Sequence, residues 1–231
     1  MNIYRNENLI KRNARIAQIS MLSGLAVLGA GMFLSFRNPE QFSLSLGALL
    51  LGFILSQIGI FYSNRWGRRP RQDELIDLAL KGLDKKFSLY HYLTPVNHLL
   101  IGPSGTWALL PYYQRGRIVY QNGRWQQKGG NLYLKIFAQE GLGRPELDVV
   151  AAKESLDKFI ASHFPDEDFP PAEVALIFTN ERTVVDIPED ADPPAATVSL
   201  KDLKELIRKS GKNRSLPMEK VKLLEDALRD S

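Results

Sequence analysis

Residues 16–36 read IAQISMLSGLAVLGAGMFLSF, and residues 42–62 read FSLSLGALLLGFILSQIGIFY. Neither run of 21 holds an Asp, Glu, Lys, Arg or His. At about 1.5 Å of rise per residue, a helix of that length crosses the roughly 30 Å hydrocarbon core of a bilayer. Arg37-Asn38-Pro39-Glu40-Gln41 alone separate the runs, so the expected structure is a tight antiparallel hairpin with both ends on one side. Helices of a soluble core would show a polar face, which neither run does. A cleaved signal sequence would have a shorter apolar run and a small-x-small cleavage site. Gly24, Gly29, Gly31, Gly47 and Gly52 permit close helix approach, within the pair or with a partner membrane protein.

Charge orients the hairpin. The whole chain of 231 residues carries +4, but the charge is unevenly placed. Residues 1–71 hold nine Lys/Arg and two acids, for +7, and residues 72–231 hold 21 basic and 24 acidic residues, for −3. Arg5, Lys11, Arg12 and Arg15 precede the first run, Arg65, Arg68, Arg69 and Arg71 follow the second, and the turn has Arg37 alone. By the preference of Lys and Arg for cytoplasmic flanks, both termini and the remainder of the chain are expected on the cytoplasmic side of a cytoplasmic or inner membrane. Tyr62 and Trp66 stand where interfacial aromatics are expected. The absence of cysteine excludes disulfides, thiolate metal sites and cysteine nucleophiles.

The expected organisation is a basic N-terminus (1–15), a transmembrane hairpin (16–62), a basic juxtamembrane linker (63–72), an α/β domain (73–210) and a C-terminal amphipathic helix (211–231). Within the α/β domain, Ile76, Ala79, Leu80 and Leu83 give a helical stripe over Asp73–Lys86. Phe87–Leu93, His98–Ile101, Thr106–Tyr112, Arg117–Gln121, Arg124–Gln127 and Leu132–Phe137 read as strands, with turns at Gly102-Pro103-Ser104-Gly105 and Asn122-Gly123. Pro145 opens a helix through about Phe164, with Val149, Ala152, Leu156, Phe159 and Ile160 forming its apolar stripe. Val174–Phe178 reads as a buried strand, Ser199 with Asp202 as the start of a helix to Lys209, and Ser215–Arg229 as a last amphipathic helix. Helices and strands in this order indicate a mixed α/β domain.

Asn97-His98-Leu99-Leu100-Ile101-Gly102-Pro103-Ser104-Gly105-Thr106-Trp107-Ala108-Leu109-Leu110 resembles the central motif of the nuclease-related domain family (NERD). Gly116, the turn Asn122-Gly123-Arg124-Trp125, strand Val174–Phe178 and the helix holding Leu200 extend the resemblance over roughly residues 70–210. It implies a restriction-endonuclease-like fold, whose chemistry needs acids to hold a divalent cation beside a lysine. Position by position, the family's aspartate is Asn97 here, its glutamate Leu110 and its lysine Tyr112. Glu74 alone keeps an acidic position, with Asp73 in place of the preceding glycine. One carboxylate cannot hold the metal, so the resemblance implies a scaffold without its catalytic set, with no cofactor and no metal.

No other motif supplies chemistry. His91, His98 and His163 have no metal-ligand spacing and read as structural or surface residues, and Gly102–Gly105 lacks the ending of a phosphate loop. Asp166, Glu167 and Asp168 read as solvated loop charge. Arg115, Arg117, Arg124, Lys128 and Lys135, with Arg144, concentrate positive charge that suits anionic headgroups, an acidic partner or a nucleic-acid backbone. The function expected is a non-enzymatic, membrane-anchored accessory subunit whose partners are the bilayer and a membrane-protein complex. The rival is a membrane-tethered nucleic-acid binder or metal-dependent nuclease, disfavoured by the −3 of residues 72–231.

Overall fold

The structure, a computed structural model, describes residues 1–129, 137, 141–213 and 215–229. It has two compact units, one built on Glu7–Arg71 and the other on Met1–Asn6 with the described residues of 72–131 and 141–231. The expected strand Leu132–Phe137 lies outside the described residues apart from Phe137.

In the first unit, α1 (Glu7–Arg37) and α2 (Phe42–Tyr62) are joined by a 3-10 turn at Pro39–Gln41, and a π-helical turn, Ser63–Gly67, follows α2 directly. Small buried residues recur every seven positions: Ala17, Gly24 and Gly31 on α1, Ser45, Gly52 and Gly59 on α2. A seven-residue repeat keeps one seam facing a partner helix. At that seam the backbones touch, since a Cβ on Gly52 would stand 2.7 Å from Leu28 Cγ and 2.9 Å from the Leu28 amide nitrogen. Gly29 and Gly47 lie off it, with nothing within 4 Å of a Cβ built there. The large side chains point the other way: Leu22, Leu25, Phe36 and Phe42 are 66–81% exposed. Both helices are long and apolar enough to cross a membrane, and 11% and 17% of the residues in their most apolar windows are buried. Ser23 and Ser56 return their hydroxyls to the carbonyls of Ile19 and Gly52, so neither leaves a polar group unsatisfied among these apolar surfaces.

The second unit is mixed α/β. Its elements are β1 (Asn2–Arg5), α3 (Gln72–Leu80), β2 (Ser88–His91), β3 (His98–Gly102), β4 (Gly105–Tyr112), β5 (Gly116–Gln121), β6 (Arg124–Lys128), α4 (Pro145–His163), β7 (Glu173–Phe178), β8 (Thr183–Asp186), β9 (Ala196–Ser199), α5 (Leu203–Asn213) and α6 (Met218–Arg229). Six strands form a sheet in the order β1-β2-β3-β4-β7-β9, and β6-β5-β8 form a second. β2, β3 and β4 are antiparallel neighbours, whereas β1 joins β2, β7 joins β4 and β9 joins β7 in parallel. Side-chain alternation divides the core. Leu89, Leu100, Trp107, Leu109 and Ile177 pack with Ile76 and Leu80 of α3 and Leu203 and Ile207 of α5. Tyr90, Leu99, Ile101, Ala108, Leu176 and Phe178 pack on the other face with Val149, Ala152 and Leu156 of α4 and Val221 and Leu224 of α6. The result is an α/β/α sandwich whose central strands are buried on both faces, which explains their near-continuous apolar runs.

Asn122 and Gly123 take the left-handed region, at φ 53° and 72°, as the β5–β6 hairpin requires. The structure departs from expectation in several places. α3 stops at Leu80 rather than Lys86, because Gly82 turns left-handed (φ 83°) and the Leu83 amide closes onto Leu80 O. The Ser199 hydroxyl bonds the Asp202 carboxylate, not a helix amide, and α5 begins at Leu203. The position 210–211 falls inside α5, and α6 buries Val221 and Leu224 in the core. Strands β1, β8 and β9 were not anticipated. The first changes the domain's definition: residues expected in a basic N-terminal segment supply an edge strand.

Candidate functional site

Polar groups converge where β1, β2 and β3 lie side by side beneath α3. In register, Arg5 stands beside His91 and His91 opposite His98, so three strands present one row of a cation and two imidazoles. Asp73 and Asp77 are one helical turn apart on α3 and so share a face. Arg5 bonds Asp77 and lies 3.5 Å from Asp73. His91 Nε2 meets Asp77 Oδ1 at 3.0 Å, and His91 Nδ1 meets His98 Nδ1 at 2.8 Å. Asp73 and His91 are fully buried and His98 nearly so.

Burial first, then the neighbouring His91, holds the His98 imidazole far below its ordinary value, at about 3, with Arg5 acting in the same direction and Asp73 opposing. His98 is therefore neutral near pH 7. A carboxylate oxygen only accepts, so His91 Nε2 carries the hydrogen it gives to Asp77. Between the two Nδ1 atoms one must donate and the other accept, so that contact holds a single hydrogen. Among the described residues no group of three or more His, Asp or Glu is placed to hold a metal ion. The cluster is interior; what it can do is hold protons and tie β1 to α3, β2 and β3. The sequence pointed only to scattered histidines; the available signal was two strands flanking Thr94-Pro95, which bring residues 91 and 98 opposite each other.

The nuclease-like positions are not brought together. Glu74 is on α3, whose buried residues pack against one sheet face. Leu110 and Tyr112 belong to the core on the other face, and Asn97 is exposed at the end of the β2–β3 turn. The Tyr112 hydroxyl donates to Asp148 Oδ2 at 2.6 Å, and burial together with that carboxylate pushes the phenol up, keeping it protonated. Tyr112→Phe is expected to cost about 1–2 kcal/mol, the worth of a hydrogen bond to a charged acceptor that is itself exposed, read from urea unfolding of the full chain in detergent.

Cross-strand register sets Arg117 opposite Lys128 and Gln121 opposite Arg124, so Arg117, Arg124 and Lys128 share one exposed face of the small sheet. Arg117 is paired with Asp186 of β8, which reduces the patch's charge. Arg115 precedes β5, its carbonyl taking the Gln127 amide, and Lys135 lies outside the described residues. Arg12 and Arg15 are exposed on α1, and Arg68 and Arg69 are exposed after α2. The Arg65 guanidinium lies over Phe61, 3.9 Å from the ring centre. His163 is at the exposed end of α4, its Nδ1 on Phe159 O. In the acidic loop, Glu167 faces Lys220 at 3.6 Å, and the same ammonium caps the Asp168 carbonyl over the Phe169 ring. That loop brings its own cation.

These elements define a mixed α/β domain following two long apolar helices. In comparison with known proteins, no family model matches the chain, and no curated protein and no solved structure does.

Proposed function

We propose that this chain is a membrane-anchored, non-catalytic accessory subunit: α1 and α2 sit in the bilayer, and the α/β domain docks on a cytoplasmic surface of a membrane complex. The observation that carries the reading is the inverted helical pair, whose seam is glycine, alanine and serine while leucine and phenylalanine face outward. Water disfavours that arrangement by roughly 25 cal/mol per Å2 of apolar surface, and hydrocarbon does not. Met1–Asn6 and the residues after Gln72 fold into one unit, which suits a hairpin that enters and leaves on the same side. Lys and Arg in the flanks favour the cytoplasm.

The order of α3, a strand into a Gly-Pro-x-Gly turn, an apolar strand, an Asn-Gly-x-Trp hairpin, α4 and β7 supports a degenerate nuclease-related domain of restriction-endonuclease-like fold. The separation of Glu74 from Leu110 and Tyr112 supports a role without hydrolysis. Purification in mild detergent tests the proposal, with expected recovery of stoichiometric membrane subunits and no cleavage of DNA or RNA with magnesium or manganese. Metal-dependent cleavage by the isolated chain, lost in Glu74→Ala, would establish the nuclease reading instead.

A further inference from the structure

We infer that the buried cluster of Arg5, Asp77, His91 and His98 is an acid-sensitive latch that holds β1, the strand running directly into α1, onto the α/β domain.

β1 is four residues long and lies at the sheet edge, so it bonds one neighbour only. Several contacts attach it, among them Asn2 Nδ2 on Lys85 O and the Tyr4 hydroxyl with Arg229. The amides of Asn2 and Asn6 reach Phe87 O and His91 O, the terminal amine reaches Leu83 O at 3.2 Å, and Tyr4 stacks on Tyr90 at 5.0 Å. The Arg5 side chain adds the buried tie to Asp73 and Asp77. That tie shares Asp77 with His91, and His91 shares its other nitrogen with His98.

The imidazole contact sets the acid sensitivity. Two Nδ1 atoms 2.8 Å apart need one N–H and one lone pair. With both rings charged, N–H would be set against N–H at that contact and a further positive charge would stand beside Arg5. Separating the strands gives His98 to water, where imidazole titrates near pH 6.5. The groups that face the pair are Arg5 from β1, Asp73 and Asp77 from α3, and the Tyr92 ring, 5.0 Å from His98, from the β2–β3 turn.

The sign follows. The closed form holds His98 well below the open value, to about 3. Its advantage is therefore complete well above about pH 6.5, is lost as the pH falls through that value, and approaches a tenfold decline per pH unit below about pH 5.5. Release of β1 frees Met1–Asn6, the stretch immediately ahead of α1. The latch does not depend on the accessory-subunit reading and can fail or hold separately from it.

Amide hydrogen exchange of the full chain in detergent micelles tests it, each rate divided by that of an unstructured peptide at the same pH. From pH 6.5 to 5.5, protection of the Asn2 and Asn6 amides, which bond Phe87 O and His91 O, is expected to fall about fivefold while that of β7 stays constant. In His98→Asn, which keeps a polar group and removes the titration, these two amides should lose their pH dependence. Constant protection of both amides in the unsubstituted protein overturns the latch, as does an equal fall in β7 or an unaltered fall in His98→Asn. Should that variant not fold, the ring resonances of the chain's three histidines decide instead. A His98 titrating near 6.5 in the closed protein refutes the proposal, and one still neutral at pH 5 supports it.

Discussion

Replacing Arg5 by alanine is expected to destabilise the α/β domain by about 3 kcal/mol, the lower end of what removing one partner from a buried ion pair costs. Asp73 is fully buried, whereas Asp77 and Arg5 are each 19% exposed, so water reaches part of the pair. Arg5→Lys keeps a charge without the planar fork that spans two carboxylates, and should fall between the parent and Arg5→Ala. The comparison is Arg117→Ala, which also breaks an arginine–aspartate pair, but one 64% and 38% exposed. That change should cost less than about 1 kcal/mol. Urea unfolding of the full chain in detergent, followed by the fluorescence of Trp107 and Trp125, measures both. Equal small effects would mean that β1 is not part of the domain.

The second large effect is expected in the helical pair. A side chain at Gly52 meets the Leu28 backbone amide at 2.9 Å and the Gly24 carbonyl at 3.0 Å, and backbone cannot rotate away as a side-chain tip can. Gly52→Val should therefore separate α1 from α2 at an overpacking cost of about 3 kcal/mol. Gly47→Val, placed where nothing lies within 4 Å, should change stability by less than about 1 kcal/mol. Thermal unfolding in detergent or bilayer nanodiscs reads the contrast. A ranking of Gly47 above Gly52 would mean that the seven-residue seam is not the packing surface.

The residues differ in how openly they announce these roles. The two apolar helices were legible because 21 uncharged positions in a row admit few other structures, and the β5–β6 hairpin because Asn122-Gly123 suits a turn with positive φ. Which glycines make the seam was not legible: Gly29 and Gly47 look the same in sequence as Gly24 and Gly52, and only the seven-residue spacing of Ala17, Gly24 and Gly31 separates them. β1 was hidden because Asn-Ile-Tyr-Arg is too short to show alternation and its parallel partner begins at Ser88. β8 and β9 flank a stretch of prolines and acids that reads as loop, yet both pair in parallel, β8 with the distant β5 and β9 with β7.

The polar cluster was concealed for a related reason. Arg5, Asp73, Asp77, His91 and His98 come from four elements, and no two of them form a recognised motif. Their meeting depends on register: one residue of slip in β2 would turn His91 to the opposite sheet face. The nuclease-like positions show the converse: a sequence pattern aligns Glu74, Leu110 and Tyr112, but Glu74 stands on α3, whose Ile76 and Leu80 pack on one sheet face, while Leu110 and Tyr112 belong to the core on the other.

The central claim is that α1 and α2 cross a bilayer as a hairpin and leave the domain on one side. The chain has no cysteine, so a single thiol introduced as Asn38→Cys in the helix connection, or as Lys86→Cys in the domain, is a unique reporter. Both positions are exposed. With a membrane-impermeant maleimide added to sealed cells, Asn38→Cys should label and Lys86→Cys should label only after lysis. Labelling of both from the same side, or recovery of both in the soluble fraction, would contradict the account.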